Sequence, residues 1–365
     1  MSSVSEAEVL NALRPIEDPD FKRSIVDLGF VKNIVIEGPR VAFSIELTTP
    51  ACPVKAQFQE AARAAVVALD GVERVEVTMT ANTRGTSHKD KPEGLEQVRN
   101  TVAVASGKGG VGKSTIAVNL ALALAESGAR VGLLDCDIYG PSIPLMLGIS
   151  GRPQITEEKK ILPLHSYGLE LMSIGFLAGE NTPVIWRGPM VHGIIRQFLG
   201  DVRWGELDYL VLDLPPGTGD AVLTLTQSAP LAGALIVTTP QEVSLIDARK
   251  GLQMFQRVNV PVLGIVENMS YFVCDGCDKR HALFGEGGAE RAAQELDTEV
   301  LAHIPFEVDV VAAGDAGKPT LIAQPDSLVA TAIRELAGRV ARKLSLLNAE
   351  APPVLDTNIQ WVNTQ

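Results

Sequence analysis

Short apolar runs alternate with longer stretches of helical periodicity between residues 98 and 347. Several runs, including Tyr209–Leu212, are apolar at every position, which is typical of parallel strands covered by helices on both faces. The pattern predicts strands at Thr101–Ala105, Arg130–Asp135, Leu169–Ile174, Tyr209–Asp213, Gly233–Thr238 and Val262–Glu267. It predicts the covering helices at 113–127, 220–229, 244–257, 286–296 and 326–347. The predicted fold is therefore α/β, with a mostly parallel, doubly wound sheet.

The first part of the chain predicts a small α/β domain of its own. A helix should begin near Ser3 and Glu6, which have capping-box spacing, and end at Leu13. Alternating strands and one Ala-rich helix are predicted at Phe30–Ile36, Val41–Leu47, Val54–Leu69 (the helix) and Val72–Met79. The predicted organisation is a small domain at 1–81, a polar linker at 82–97, the larger domain at 98–347 and an extended tail at 348–365.

The chain carries a formal charge of −12, from 32 Lys and Arg against 44 Asp and Glu. Such a field repels nucleic acid and anionic membranes, so we expect neither as a partner. The sequence lacks the run of about 18 apolar residues that a membrane-spanning helix needs, and its first residues do not resemble a signal peptide. Four Cys in 365 residues favour a reducing compartment. These observations predict a cytoplasmic globular protein.

A glycine-rich loop separates the strand predicted at Thr101–Ala105 from the helix that follows it. Residues 107–114, Gly-Lys-Gly-Gly-Val-Gly-Lys-Ser, match G-x-x-x-x-G-K-[ST] in the strand–loop–helix context of a P-loop. In such a loop backbone N–H groups cradle phosphates, Lys113 reaches the outer phosphates and the Ser114 hydroxyl binds Mg²⁺. A glycine-rich turn without a nucleotide is the alternative. The predicted nucleotide-binding residues here are Gly107, Lys108, Gly109, Gly110, Val111, Gly112, Lys113, Ser114 and Thr115.

Aspartates end two of the predicted strands. Asp213 closes the apolar strand that begins at Tyr209, while Asp135 and Asp137 stand at the end of another. An Asp beside a P-loop can hold Mg²⁺ through water, so Ser114 and Asp213 form the predicted magnesium site. A helix cap is the alternative role for these aspartates. The guanine-reading motif Asn-Lys-x-Asp does not occur, so ATP is the expected nucleotide.

Two of the cysteines, Cys274 and Cys277, have the C-x-x-C spacing that lets two thiolates bind one soft metal centre. A thioredoxin-like redox pair would need a βαβ context of its own, which the pattern lacks. Zinc and an iron–sulfur cluster each need about four ligands, whereas one chain offers two thiols here, with His281 as a weak third ligand. A symmetric dimer would supply two thiols from each chain. Zinc, a cluster and two incidental cysteines are all compatible with this spacing.

Further motifs occur in order along residues 98 to 345. They are Asp137–Ser142 (DIYGPS), Trp186–Met190 (WRGPM), Asp208–Asp220 (DYLVLDLPPGTGD) and Glu267–Ser270 (ENMS), the last just before the C-x-x-C. In these motifs the chain resembles the Mrp/ApbC family of iron–sulfur cluster carriers. The resemblance implies ATPase-coupled binding of a 4Fe–4S cluster, bridged at a homodimer interface by Cys274 and Cys277 of each chain. It also implies iron–sulfur scaffold proteins and acceptor apoproteins as partners.

The loop at 107–114 resembles the deviant Walker A motif of ParA/MinD-type ATPases, in which two subunits enclose two nucleotides. That resemblance implies that Lys108 contacts the partner's phosphates, that Asp137 positions the attacking water and that Asn268 reads adenine. Lys108, Lys113 and Asp137 are accordingly the predicted catalytic residues.

The domain at 1–81 resembles the small iron–sulfur assembly domain often fused to these carriers. Its Cys52 precedes the helix predicted from Val54, and a helix N-terminus can lower the pKa of a thiol, so Cys52 is a candidate ligand for iron or a cluster. A buried structural cysteine is the alternative. Two residues depart from the carriers' pattern: Cys136, which we expect to be a small buried apolar residue, and Asp278.

The alternative function is a positioning ATPase of the ParA/MinD type with a structural metal site. The helix containing Ile333–Leu344 is basic and amphipathic and could lie on anionic lipid, although it also suits the last helix of the sheet. An electron-transfer ATPase resembling the nitrogenase iron protein fits less well, because the cluster cysteines of that family are far apart in sequence.

Overall fold

The computed structural model describes residues 4–52, 54–83, 85–86, 91–177 and 188–350. Four of the sequence-based predictions fall partly or wholly outside these residues. They are the capping residue Ser3, part of the linker at 82–97, Trp186 and Arg187 of the Trp186–Met190 motif, and the tail from residue 351 onward.

The strands are numbered in chain order. They are β1 Glu17–Asp18, β2 Arg23–Ser24, β3 Val31–Glu37, β4 Arg40–Leu47, β5 Arg74–Ala81, β6 Val98–Ser106, β7 Val131–Asp135, β8 Leu164–Ser166, β9 Leu169–Ser173, β10 Leu207–Asp213, β11 Leu231–Thr238, β12 Val262–Glu267, β13 Phe272–Val273, β14 Arg280–His281 and β15 Val300–His303.

The α-helices are numbered in the same way. They are α1 Glu6–Leu13, α2 Lys55–Val67, α3 Lys113–Glu126, α4 Ile143–Met146, α5 Gly188–Gly200, α6 Asp220–Ser228, α7 Glu242–Arg257, α8 Gly288–Glu295, α9 Asp309–Asp315, α10 Thr320–Ala323 and α11 Leu328–Glu350. Two short 3₁₀ helices lie at Glu93–Leu95 and Ile174–Phe176.

The central sheet has eight strands in the order β15-β12-β11-β6-β10-β7-β9-β8. Neighbouring strands are parallel except for β8 and β9, which pair antiparallel. After β10 the chain crosses to the other side of β6, so the strand order reverses there. Ligands of such sheets bind at the carboxyl ends of the strands beside this reversal. The predicted doubly wound α/β fold is confirmed.

The sheet is covered on both faces, as its apolar strands predict. Alternate residues of β6 show this division: Val102 and Val104 belong to the core that contains α3 and α11, whereas Ala103 and Ala105 belong to the core that contains α5, α6, α7 and α8. Both layers consist mostly of fully or nearly fully buried aliphatic side chains. The site at the end of β6 is therefore held between two dense apolar layers.

The last helix, α11, packs its apolar side against the sheet. Ile333, Leu336, Val340 and Leu344 on this helix are buried, so the amphipathic pattern that suggested a lipid-binding surface is used within the fold. The helix ends at Glu350, three residues beyond the predicted end at 347. No helix in the part of the chain that the structure describes is long and apolar enough to cross a membrane.

The N-terminal domain contains the predicted elements around its own apolar core. Strands β3 and β4 are antiparallel, and β4 and β5 are parallel, with α2 connecting the parallel pair. The capping box of α1 is formed by Ser5 and Glu8, since Ser5 Oγ accepts from the Glu8 N–H at 3.3 Å and Glu8 Oε2 accepts from the Ser5 N–H at 2.8 Å. The pair predicted at Ser3 and Glu6 has the same spacing, two residues earlier.

The two domains contact each other directly. Thr49 Oγ1 lies 2.8 Å from the buried Tyr209 hydroxyl of β10, and Asp20 forms a 2.6 Å ion pair with Arg342 of α11. Part of the predicted linker also packs inside the larger domain, because Leu95 is fully buried there. Residues 93–95 are therefore structural, which polar composition alone did not indicate.

Candidate functional site

The P-loop lies between the end of β6 and the start of α3, at the reversal point of the sheet. Gly110 and Gly112 have φ angles of +80° and +83°, a left-handed conformation that glycine adopts without strain. A side chain at Gly107 would overlap the backbone of Asp247 on α7. These three glycines are required by the path of the loop itself, before any ligand is considered.

Lys113 and Asp213 form a buried ion pair at the centre of the site. Lys113 Nζ lies 2.6 Å from Asp213 Oδ1 and 3.2 Å from Ser114 Oγ. Burial raises the pKa of Asp213, and the positive charge of Lys113 opposes that effect. The second carboxylate oxygen, Oδ2, is buried and has no hydrogen-bond partner among the residues that the structure describes. Such an orphaned acceptor beside Ser114 suits a magnesium-bound water.

Asp135 and Asp137 have different surroundings, although only one residue separates them. Asp135 is fully buried; it accepts from Ser173 Oγ at 2.9 Å and from the Asp137 N–H at 3.1 Å. Burial, with the nearby charge of Asp213, raises the pKa of Asp135 to about 8. Asp137 is half-buried, and burial raises its pKa while Lys113 opposes this. Cys136 between them is buried, as predicted, and burial raises the pKa of its thiol.

A cavity of about 390 Å³ opens beside the P-loop. Most of the predicted nucleotide residues line it, namely Lys108, Gly109, Gly110, Gly112, Lys113, Ser114, Thr115 and Asn268, and so does the predicted catalytic residue Asp137. Gly107, Val111 and Asp213 are not among the residues that line the cavity. The Asn268 side chain donates from Nδ2 to the Val111 carbonyl at 2.9 Å, so it contacts the P-loop as well as the cavity.

Beyond the P-loop the cavity lining is mostly apolar, and sequence reasoning missed these residues. Ile304, Pro305 and Phe306 line the cavity together with Val310, Val329 and Ile333, and the charged Glu307 lies among them. They follow β15, a short strand that was not predicted, and its apolar residues before Pro305 were the available signal. A phosphate-binding loop at one end and an apolar wall at the other match the two ends of a nucleotide.

Cys274 and Cys277 lie in the turn of a small hairpin between β13 and β14. The turn is closed by the Cys274 N–H, which donates to the Lys279 carbonyl at 3.0 Å, and by the Asp278 N–H, which donates to the Cys274 carbonyl at 2.8 Å. Asp278 has a φ of +55°, a left-handed conformation that a glycine would adopt with less strain. Both thiols are accessible at this turn, Cys277 more than Cys274.

The electrostatics of the turn favour a thiolate. Hydrogen bonds from the Gly276 N–H and from Cys277 lower the pKa of Cys274. His281, the weak third ligand considered above, pairs with Phe272 across the hairpin. Within the described ranges no group of three or more His, Cys, Asp or Glu side chains could hold a metal ion. The two thiols therefore have no third ligand beside them among the described residues.

Cys52 shows the opposite electrostatic behaviour from the one expected. Its thiol is half-buried beside Asp18 and Asp20, and burial raises the pKa of Cys52, although a hydrogen bond from the Val54 N–H acts in the other direction. The expected helix N-terminal effect is present and is outweighed by desolvation. Cys52 also faces the α11 side of the domain contact, where Arg342 lines the same small pocket.

The chain matches known families over most of its length. Residues 97–341 match the family described as NUBPL iron-transfer P-loop NTPase, and residues 6–79 match the family described as iron-sulfur cluster assembly protein. A protein of Synechocystis sp. named iron-sulfur cluster carrier protein is 52% identical over 343 residues, which cover 93% of this chain and 97% of that protein.

Solved structures give the same fold. A nucleotide-binding protein from Archaeoglobus fulgidus, in complex with ADP, is 42% identical with a TM-score of 0.57 and covers 64% of this chain and 92% of that one. The septum site-determining protein MinD from Pyrococcus horikoshii, complexed with Mg-ADP, is 23% identical with a TM-score of 0.52, covering 69% of this chain and 99% of its own. The second likeness concerns the fold alone.

Proposed function

This chain belongs to the NUBPL family of iron-transfer P-loop NTPases, and we propose that it is an ATP-dependent carrier that holds an iron–sulfur cluster between two copies of itself and passes it to apoproteins. The observation that carries the proposal is the pair Cys274 and Cys277. These thiols lie accessible on one hairpin, without a third ligand in the described part of the chain. A second copy completes the ligand set with two further thiols.

The cluster is cargo in this proposal. Both thiols are in the turn of a hairpin outside the three apolar cores, so the cluster is not needed to complete a core. A lowered pKa of Cys274 favours the thiolate that binds iron. Four thiolates suit a 4Fe–4S cluster, and separating the two copies leaves two on each. The carrier can therefore release its cargo when the copies part.

The nucleotide is ATP, bound with its phosphates on the P-loop and its base toward the apolar end of the cavity. Lys113 contacts the outer phosphates, and Lys108 reaches the phosphates bound by the second copy. Ser114 and, through water, Asp213 hold Mg²⁺; the orphaned Asp213 Oδ2 fits this role. When bound, Mg²⁺ withdraws charge from the phosphate oxygens.

Hydrolysis requires a water molecule in line with the γ-phosphorus. Asp137 lines the cavity and is half-buried, so its carboxylate can accept a hydrogen bond from that water. The water oxygen bonds to the γ-phosphorus as the bond to the bridging oxygen breaks, and ADP and phosphate are released. Each copy then lacks the γ-phosphate that Lys108 of the other copy contacts, which weakens the dimer that holds the cluster.

Anaerobic reconstitution tests this function. Wild type and Cys274→Ala are loaded with iron and sulfide, and their visible absorption, iron content and oligomeric state are measured, followed by transfer to an apo-ferredoxin. We expect a brown dimeric wild type and a colourless variant. The matched control is Cys136→Ala, which removes a buried thiol that the proposal does not use. Equal iron content in wild type and Cys274→Ala would refute the proposal.

Cys52 is a second possible iron ligand, and the same assay includes it. Because burial raises the pKa of its thiol, we propose that Cys52 receives iron only when the small pocket that it lines together with Arg342 of α11 opens, and that Cys52→Ala keeps the brown chromophore of the dimer. If Cys52→Ala lost iron to the same extent as Cys274→Ala, Cys52 would instead be a ligand of the main cluster.

A further inference from the structure

The segment that joins the P-loop to the cysteine hairpin is short, and hydrogen bonds connect it to its surroundings along its length. Asn268 and Cys274 are six residues apart, and the segment 267–274, which contains both, leaves the end of β12 in the central sheet. At one end the Asn268 amide donates to the Val111 carbonyl, and a side chain at Gly112 would overlap Asn268 Nδ2. A shift of the P-loop therefore displaces Asn268, since the contact leaves no space between them.

The middle of the segment is bonded to the wall of the nucleotide cavity. The Ser270 N–H donates to the Ile304 carbonyl at 2.9 Å, and the Phe306 N–H donates to the Tyr271 carbonyl at 2.6 Å. Ile304 and Phe306 both line the apolar end of the cavity. The Arg280 guanidinium of the hairpin stacks on the Tyr271 ring, 3.4 Å from the ring centre, in a cation–π contact. The segment thus contacts both the P-loop and the apolar lining of the nucleotide cavity, and it continues into the cysteine turn.

A buried carboxylate fixes the start of the segment. Glu267 Oε1 accepts from the Ser270 hydroxyl at 2.6 Å and lies 3.1 Å from His303 Nδ1, while Oε2 accepts from the Ala289 N–H of α8 at 3.3 Å. Burial alone would raise the pKa of Glu267, but the hydrogen bonds from His303 and Ser270 outweigh it and lower the pKa. The ionised carboxylate therefore connects the segment, β15 and α8 at one point.

We propose that Glu267 is a positioning residue that couples the nucleotide site to the cluster site, by holding the segment 267–274 so that movement of the P-loop is passed to Cys274. The proposal rests on the function proposed above. It does not require Glu267 to touch nucleotide or cluster. A glutamine amide has one acceptor oxygen where the carboxylate has two, so Glu267→Gln leaves either the Ser270 hydroxyl or the Ala289 N–H without its acceptor. The segment can then bend between Asn268 and the hairpin instead of moving as a unit.

The test measures the coupling itself. The reconstituted full-length dimer is mixed with bathophenanthroline disulfonate, a chelator of ferrous iron, and the rate of cluster loss is followed by absorbance with Mg-ATP and without nucleotide. The ratio of the two rates is the coupling. Allosteric coupling typically corresponds to about 5- to 150-fold, so wild type should differ at least about fivefold between the two conditions, and Glu267→Gln less than about twofold.

The matched control is Glu290→Gln. Glu290 contacts the other ring nitrogen of His303 at 3.1 Å from α8, so the variant removes a carboxylate from the same histidine and leaves the segment intact. It should keep the wild-type ratio. ATP affinity and iron content are measured for each variant, and both should be unchanged in Glu267→Gln. A loss of coupling at unchanged affinity and iron content is not produced by a merely structural defect.

The outcomes separate this inference from the proposed function. A wild type that binds no iron, or loses it at one rate in both conditions, refutes the carrier function. A coupled wild type with an equally coupled Glu267→Gln refutes the positioning role. If Glu267→Gln does not fold, Ser270→Ala removes the hydroxyl that Glu267 holds and undergoes the same test, with the same refuting result.

Discussion

The conformation of Gly112 leads to a quantitative prediction for Gly112→Ala. The left-handed backbone at φ +83° costs a non-glycine residue about 1–2 kcal/mol. The added methyl group also overlaps Asn268 Nδ2, so Asn268 must give up its buried hydrogen bond to the Val111 carbonyl, at about 1–3 kcal/mol. Together these terms amount to about 2–5 kcal/mol. If all of this is expressed in binding, ATP affinity falls about 30-fold to about 4,000-fold.

Both ATP affinity and the free energy of unfolding must be measured, because the loop can either relax to another conformation or remain strained. If the free loop relaxes to another conformation, the cost appears in ATP affinity, measured by calorimetry; if it does not relax, the cost appears in the free energy of unfolding, measured with denaturant. Gly109→Ala is the control for stability, since its Cβ would meet no atom within 4 Å. Gly193→Ala, exposed on α5, should leave both quantities unchanged or improve stability slightly. Losses that sum to less than about 1 kcal/mol in Gly112→Ala would refute the reasoning, because the backbone term alone reaches that value.

Three further predictions concern the rest of the molecule. Asp213→Asn leaves the buried Lys113 ammonium without its counter-charge, so we expect a loss of about 3–5 kcal/mol in unfolding free energy and no ATP hydrolysis; a variant with wild-type stability and activity would contradict this. In the apoprotein, Cys274 should react with iodoacetamide at lower pH than Cys52, because its thiol pKa is lowered and that of Cys52 is raised; mass spectrometry across a pH series measures this, and an equal or reversed order would contradict it. Thr49→Val removes the hydrogen bond that joins the two domains, with an expected loss of about 1–3 kcal/mol by denaturant titration, and an unchanged midpoint would show that the contact contributes nothing.

The sequence predicted the strands that contain a continuous apolar run, because burial on both faces leaves a pattern that does not depend on partners. β10 and β11 contain such runs, at Tyr209–Leu212 and Ala234–Val237. β15 was not predicted, because it has only four residues and one of them is His303. Its position at the edge of the sheet depends on pairing with β12, and the local sequence contains no information about that pairing. Helix α5 was not predicted. It contains Gly193 and begins at a Gly-Pro pair, and glycine and proline are unfavourable in the interior of a helix.

The candidate site likewise has one part that the sequence predicts and another that only the fold brings together. The P-loop is contiguous in sequence, so its residues and its glycines could be predicted from one motif. The pairs that set the charges of the site are distant in sequence: Ser173 donates to Asp135, and His303 to Glu267. Only the fold brings such residues together. Cys52 illustrates the error that a local rule makes, since the helix start favours its thiolate while burial beside the core of its own domain favours its thiol.

The position of the cysteine pair has a thermodynamic consequence for a carrier. A metal that completes a fold contributes its binding free energy to folding, so such a protein unfolds when the metal leaves. Here Tyr209, Phe198 and Phe255 are buried in cores that are closed without any contribution from Cys274 or Cys277. In the proposed carrier, the free energy of cluster binding is therefore available for holding two copies together, and the chain can lose its cargo while remaining folded. Because that proposal divides the ligands between two copies, it follows that any change that separates the copies halves the number of thiolates at the cluster, and that release depends on the dimer contact and not on the stability of either copy.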